Sequence, residues 1–166
     1  MTFFLVLLLA LLIGVVAGLR ALTAPAVVAW AGALGWITLD GTWAQWVAHP
    51  ITVTVLTILA LGELITDQLP RTPSRRVPMQ FVARLTTGGF AGAVLTTGAV
   101  LDPTPWVIVA GIGAAFIGAV AGTLGGAEAR KRLVAATGGR DLPVALVEDA
   151  IAIVGGFAVV ALASVI

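Results

Sequence analysis

The sequence lacks cysteine and tyrosine entirely, and it has a single histidine, His49, among 166 residues. Without cysteine the chain cannot form a disulfide bond, a thiolate nucleophile or a cysteine-bound metal site. One histidine excludes a multi-histidine metal site within one chain. Because Pro50 follows His49 in a polar connection, we predict that His49 is a surface residue. We therefore predict that the protein has no metal ion and no other cofactor.

Charged residues are also scarce, since they make up 10% of the chain while apolar residues make up 60%. Soluble domains are typically about 25% charged and about 45–50% apolar. A folded chain of this size leaves about 30% of its surface exposed, and there are too few polar residues here to cover that surface. The composition therefore favours a lipid bilayer as the solvent. The net charge of +1 gives no reason to predict a nucleic-acid partner.

Motifs of the common enzyme classes are absent, including HExxH, GxSxG, the P-loop and the dinucleotide-binding pattern. The glycines at Gly88, Gly89 and Gly92 lie inside an apolar run, which is the wrong context for a phosphate-binding loop. We therefore predict that the protein is not an enzyme.

Six apolar runs are separated by proline, glycine and charged residues, and each predicts a membrane helix. They are Thr2–Gly18, Ala24–Leu39, Ile51–Leu69, Gln80–Leu101, Pro105–Leu124 and Leu142–Ile166. A full crossing needs about 20 residues, so the shorter second run predicts a thinned crossing or half of a broken helix. The Gly125–Gly126 pair predicts the end of the fifth helix. Together the runs predict an all-α transmembrane bundle that forms one domain over residues 1–166.

The basic residues favour six crossings over five. With six crossings and both termini outside, all the basic residues fall on one side, which the positive-inside rule identifies as the cytoplasm. They are Arg20, Arg71, Arg75, Arg76, Arg84, Arg130, Lys131, Arg132 and Arg140. Five crossings would place Arg20 near the middle of the membrane, at a cost of about 2.5–3.5 kcal/mol. Four of the five tryptophans fall at the predicted outer boundary, namely Trp36, Trp43, Trp46 and Trp106.

Glycine pairs with four-residue spacing predict close packing between the helices. They are Gly14/Gly18, Gly88/Gly92, Gly118/Gly122 and Gly122/Gly126. A weak similarity between Leu61–Glu63 and Leu146–Glu148 indicates an internal repeat, as found in many transporters, although chance similarity is the alternative. Because one chain of six short helices is small for a transport path, we predict a homo-oligomer.

Charged residues at one predicted membrane depth form the candidate site. Glu63 and Asp67 share a face of the third helix, because they are four residues apart. We predict that the site for an ion or solute consists of Glu63, Asp67, Glu148, Asp149, Arg20 and Arg84. In the alternative interpretation these residues form salt bridges that only lock the helix ends. Nearby hydroxyl groups either add ligands or bond to their own helices, at Thr23, Thr66, Thr86 and Thr87.

Four motifs resemble a family of small bacterial multi-pass membrane proteins that is catalogued as a domain of unknown function. They are Gly18-Leu-Arg20-Ala-Leu-Thr-Ala-Pro25, Gly62-Glu63-x-x-x-Asp67-x-x-Pro70, Arg84-Leu-Thr-Thr-Gly-Gly89 and Glu148-Asp149. The resemblance covers nearly the whole chain and implies an integral membrane protein, without implying a substrate or an enzymatic activity.

From the residues we predict a channel or transporter for an ion or small polar solute in an inner membrane, and the resemblance implies that this membrane is bacterial. The alternative is a scaffold, or a module that binds lipid headgroups, which does not transport. In either case the basic cytoplasmic connections are expected to attract anionic lipid headgroups.

Overall fold

A computed structural model describes residues 2–68 and 77–165, and within these residues the chain is all-α, with no strand. The described residues form six α-helices, α1 (Phe3–Leu19), α2 (Thr23–Ala33), α3 (Pro50–Thr66), α4 (Pro78–Ala99), α5 (Pro105–Ala136) and α6 (Asp141–Val165). A short 3-10 helix, Gln45–Ala48, lies between α2 and α3. The predicted fold class is confirmed. Two helices, α5 and α6, are long and apolar enough to cross a membrane.

Helices α1 and α5 pack closely along a seam of small residues. Gly14 faces the backbone carbonyl of Ala115, and Gly18 faces Ala119, so the two helices run in the same direction. A methyl group added at Gly14 would overlap the Ala115 carbonyl oxygen. The glycines therefore let the two backbones approach each other closely enough for extensive dispersion attraction. Helix α4 packs antiparallel on this pair, with Gly88 against Ala17 and Ala119.

Helix α2 is shorter than the apolar run that contains it. It ends at Ala33, shortly before Gly35 adopts a φ of +70°, a left-handed conformation that ends helices. The chain then folds back onto the bundle, where Ile37 is buried and the backbone N–H of Thr38 donates to the carbonyl of Gly98 over 2.9 Å. Eleven helical residues span only about 16 Å. The second run is therefore a half-length helix followed by a packed, non-helical segment.

Helix α5 does not end at the Gly125–Gly126 pair, so that prediction is wrong. The helix continues to Ala136 and ends before the Gly138–Gly139 pair, whose φ angles are +69° and +86°. One helical glycine costs only about 1 kcal/mol. The residues that follow the first pair are mostly good helix formers, and Glu128 and Arg132 form an ion pair one turn apart at 2.8 Å. Together they outweigh the cost of the two glycines.

The two ends of the bundle differ in charge. We call the end where α1, α3 and α5 finish the basic end, because it holds every lysine and arginine that the structure describes: Arg20, Arg84, Arg130, Lys131, Arg132 and Arg140. We call the opposite end the tryptophan end, where Trp43, Trp46 and Trp106 are exposed. The predicted positions Arg71, Arg75, Arg76, Leu69 and Ile166 lie outside the described residues.

Candidate functional site: a buried charge cluster

Arg20 lies at the break between α1 and α2, and its side chain is 0% exposed. Its Nε lies 2.5 Å from Oδ1 of Asp149, and its Nη1 lies 2.5 Å from Oδ2 of Asp67. Its Nη2 lies 3.8 Å from Oε2 of Glu148. One guanidinium group therefore connects the basic end of α3 with the first turns of α6.

Glu63 binds the backbone rather than an arginine. Its two carboxylate oxygens accept hydrogen bonds from the N–H groups of Ala21 and Leu22, each over 2.7 Å. These donors immediately precede α2, at a helix N-terminus where backbone N–H groups lack partners within the helix. No lysine or arginine nitrogen among the described residues lies within 4 Å of Glu63. Its charge is therefore balanced by peptide dipoles at the helix N-terminus, which favour an anion.

Arg84 of α4 binds the carbonyl groups at the end of α1. It is 2% exposed, and its Nη1 donates to the carbonyl oxygens of Leu19 over 2.9 Å and Gly18 over 3.3 Å. Its Nη2 lies 3.7 Å from Oδ2 of Asp67, so the aspartate faces two guanidinium groups. The last carbonyl groups of a helix have no donors within that helix, and Arg84 donates to two of these groups in α1.

Sequence reasoning missed two polar side chains that join the site. Gln68 donates from Nε2 to Oδ2 of Asp149 over 3.2 Å, and the hydroxyl of Thr123 donates to the carbonyl of Gly18 over 3.3 Å. The position of Gln68 beside Asp67 was the only sequence signal for its role. Thr123 follows the glycine-rich face of α5, so the seam with α1 could have indicated it.

Arg130 extends the cluster towards the outside of the bundle. Its Nη1 lies 3.5 Å from Oε2 of Glu148. Its Nε and Nη2 donate to Oδ1 and Oδ2 of Asp141 over 2.9 and 2.7 Å. Glu128 instead contacts Arg132 on the exposed part of α5. Solvent exposure therefore increases across this group of charges, from the fully buried Arg20 to the half-exposed Asp141 at the start of α6.

All six predicted site residues come together at the basic end. We call them the charge cluster: Arg20, Glu63, Asp67, Arg84, Glu148 and Asp149. Their role in binding an ion or solute stays a prediction. Three of the predicted hydroxyl groups bond to their own helix, at Thr66, Thr86 and Thr87, whereas Thr23 does not.

A polar cavity of about 400 Å³ lies at the tryptophan end. Asp40, Asp102 and Thr97 line it, and Trp43 donates from its indole nitrogen to the Thr97 hydroxyl over 3.0 Å. No lysine or arginine occurs in the two connections that form this end. The negative charge of Asp40 and Asp102 at this end therefore favours the binding of cations over anions.

Apolar side chains separate this cavity from the charge cluster. Ile13, Leu95 and Val160 are completely buried between the two polar regions. Along α4 the distance from Arg84 to Thr97 is thirteen residues, or about 20 Å. In the described residues, an apolar core therefore separates the polar regions at the two ends of the bundle.

Residues 7–165 match the family described as a domain of unknown function, DUF4126. The chain belongs to this family. The match confirms the resemblance to a family of unknown function, and the charge cluster of this DUF4126 protein lies entirely within the matched residues. No curated protein and no solved structure matches the chain. Membership of DUF4126 identifies no substrate, so the function has to be argued from the geometry.

Proposed function

We propose that this DUF4126 protein is a polytopic protein of a bacterial inner membrane that acts as a channel or transporter for an ion or small polar solute. In this proposal the chain crosses the bilayer six times, the second time as the half-length α2 and the packed segment that follows it, and the basic end faces the cytoplasm. The lengths and apolar character of α5 and α6, and the separation of arginine from tryptophan, support this arrangement. We also propose that the chain forms a homo-oligomer.

The complete burial of Arg20 carries the proposal. Removing a charged group from water costs several kcal/mol, even in relaxed protein structures. Ionisable groups at membrane depth normally line the path of an ion or polar solute. Thr123, which contacts the end of α1, lies seventeen residues after Trp106, or about 26 Å along α5. The charge cluster would therefore lie at the inner boundary of a hydrocarbon core about 30 Å thick.

Helix α3 is the element best suited to move. Only Val53 and Ala60 of this helix are buried, and it packs mainly on α2 and the 3-10 helix. Its inner end is held by the bonds of Glu63 to the backbone and of Asp67 to Arg20. We propose that an ion competes for these carboxylates and releases the inner end of α3. The charge cluster would then act as the inner gate.

A second candidate function is a scaffold that does not transport. The observation that favours it is the pairing of Asp67 and Asp149 with the same buried guanidinium group, which would lock α3 and α6 to α1. The exposed basic residues Lys131, Arg132 and Arg140 would then hold anionic lipid headgroups, each contributing about 1 kcal/mol.

Cysteine labelling tests the proposed membrane arrangement. Because the chain has no cysteine, each single substitution introduces the only thiol. A membrane-impermeant maleimide should label Gln45→Cys, at the tryptophan end, from outside the inner membrane of spheroplasts. It should label Thr137→Cys, at the basic end, only after the membrane is opened. Labelling of both positions from the same side would refute the six-crossing arrangement.

Ion flux through proteoliposomes tests the transport function. We expect Glu63→Gln to lower the flux of Na⁺, K⁺ or H⁺ about tenfold or more, because a neutral amide replaces the one cluster carboxylate that has no arginine partner. Glu128→Gln removes the same charge from the exposed part of α5 and should leave the flux unchanged. Thermal unfolding of both variants would show that the bundle is intact. A wild-type chain without flux, or an intact Glu63→Gln variant with full flux, would favour the scaffold.

A further inference from the structure

A small apolar cavity of about 120 Å³ lies between α2, α3 and α6, and none of the residues that line it belongs to the charge cluster. Ala60, Leu61 and Phe157 are among the side chains that line it. An apolar cavity of about 150 Å³ stays dry and takes up a molecule the size of benzene. This cavity is therefore suited to a short apolar segment rather than to water or an ion.

Thr23 is among the residues that line this cavity, and its hydroxyl oxygen is buried without a hydrogen-bond partner among the described residues. Thr23 is 3% exposed, and its Oγ1 makes no hydrogen bond within the described part of the chain. Thr57, which also lines the cavity, is fully bonded, since it donates to the carbonyl of Val53 over 2.7 Å and accepts from Trp30 over 3.0 Å. Buried hydroxyl groups are nearly always bonded in native proteins. The free hydroxyl of Thr23 therefore points to a ligand with a hydrogen-bond acceptor.

The depth of the cavity matches that of a phospholipid tail. Thr23 begins α2, three residues after Arg20, and Trp30 lies seven residues or about 10 Å farther from the basic end. In the proposed arrangement Thr23 lies where headgroups meet hydrocarbon, and Trp30 lies deeper in the bilayer. The ester carbonyls of a phospholipid lie at that same boundary, and its acyl chains extend inwards.

The cavity is also open towards the lipid. Trp30 is 37% exposed and Leu61 is 54% exposed, and both line the cavity. On α6, the neighbouring apolar residues Ile151 and Val154 are exposed as well. A lipid of the surrounding bilayer could therefore insert one chain between α3 and α6 without crossing a polar surface.

We propose that this cavity binds one acyl chain of an ester phospholipid from the cytoplasmic leaflet, and that Thr23 donates a hydrogen bond to its ester carbonyl. The proposal rests on the membrane-spanning arrangement proposed above, and it does not depend on transport. It gives the protein a specific lipid site beside α3, the helix whose basic end carries Glu63 and Asp67.

Native mass spectrometry of the full chain, released from nanodiscs, tests this site. The nanodiscs contain equal amounts of a diacyl phosphatidylcholine and its dialkyl ether analogue, which lacks the ester carbonyls. We expect one retained lipid per chain, with the ester form favoured about fivefold by the additional hydrogen bond. Thr23→Val should abolish this preference. Thr86→Val should keep it, because that hydroxyl is exposed and bonded to its own helix.

A second variant tests the cavity itself. Ala60→Phe places a ring in the cavity and should remove the retained lipid of either kind. Equal retention of ester and ether lipids by the wild type would overturn the proposal, as would retention of detergent in place of lipid. Loss of the ester preference together with the expected cysteine labelling would refute the lipid site alone. Reversed labelling with the preference intact would refute the proposed orientation, and with it the assignment of the lipid to the cytoplasmic leaflet.

Discussion

Replacing Arg20 with methionine should lower the free energy of unfolding by about 3–5 kcal/mol, the cost of removing one partner from a buried ion pair. Methionine keeps much of the volume of the side chain but leaves Asp149 without its arginine partner and Asp67 with only the more distant Arg84. A buried carboxylate that loses its cationic partner is costly, because it cannot be fully solvated. Denaturation of the purified protein in mixed micelles, followed by circular dichroism, measures the loss.

Two further variants make this result specific. Arg132→Met removes an exposed ion pair of α5 and should cost less than about 1 kcal/mol. Combining Arg20→Met with Asp67→Asn and Asp149→Asn should restore part of the loss, because the uncompensated charges are gone. If Arg20→Met were as stable as the wild type, Arg20 could not be the ionic connection between α3 and α6.

The second large effect is expected at the seam between α1 and α5. Gly118→Ala would place a methyl group onto the backbone carbonyl of Leu11, and 2.9 Å from the backbone nitrogen of Val15. Because backbone atoms cannot rotate away, we expect the helices to separate and the protein to lose about 3 kcal/mol, in the upper range for overpacking. The same micelle titration gives the value.

Gly113→Ala is the matched control on the same helix. A methyl group at Gly113 meets no atom within 4 Å, so it disturbs no contact. Alanine is the better helix former, and this variant should be neutral or more stable by up to about 1 kcal/mol. Equal effects of the two substitutions would mean that helix propensity, rather than the close approach of α1 and α5, determines the cost at Gly118.

Sequence reasoning placed the charge cluster at one depth because span lengths and charge positions fix which helix ends meet. Arg20 follows the first apolar run and Arg84 lies near the start of the fourth, so the level of each could be counted along the chain. The rotation of each helix could not be counted in this way. It decides that Glu63 binds the start of α2 while Asp67, one turn later, binds Arg20.

The errors at the helix ends have a related cause. The Gly125–Gly126 pair resembles the Gly138–Gly139 pair in sequence, yet only the second ends α5. Each glycine changes the local free energy by only about 1 kcal/mol. Contacts outside the helix, such as that of Arg130 with Asp141, are of similar size and decide the outcome.

The sequence by itself determined the all-α class, the membrane-like composition and the separation of arginine from tryptophan, because these depend on residue counts and on their order along the chain. Only the tertiary structure decided which carboxylates share Arg20, where α2 and α5 end, and that the Thr23 hydroxyl has no partner among the described residues. Partner choice depends on helix rotation and on distances of a few tenths of an ångström, which no count along the chain contains.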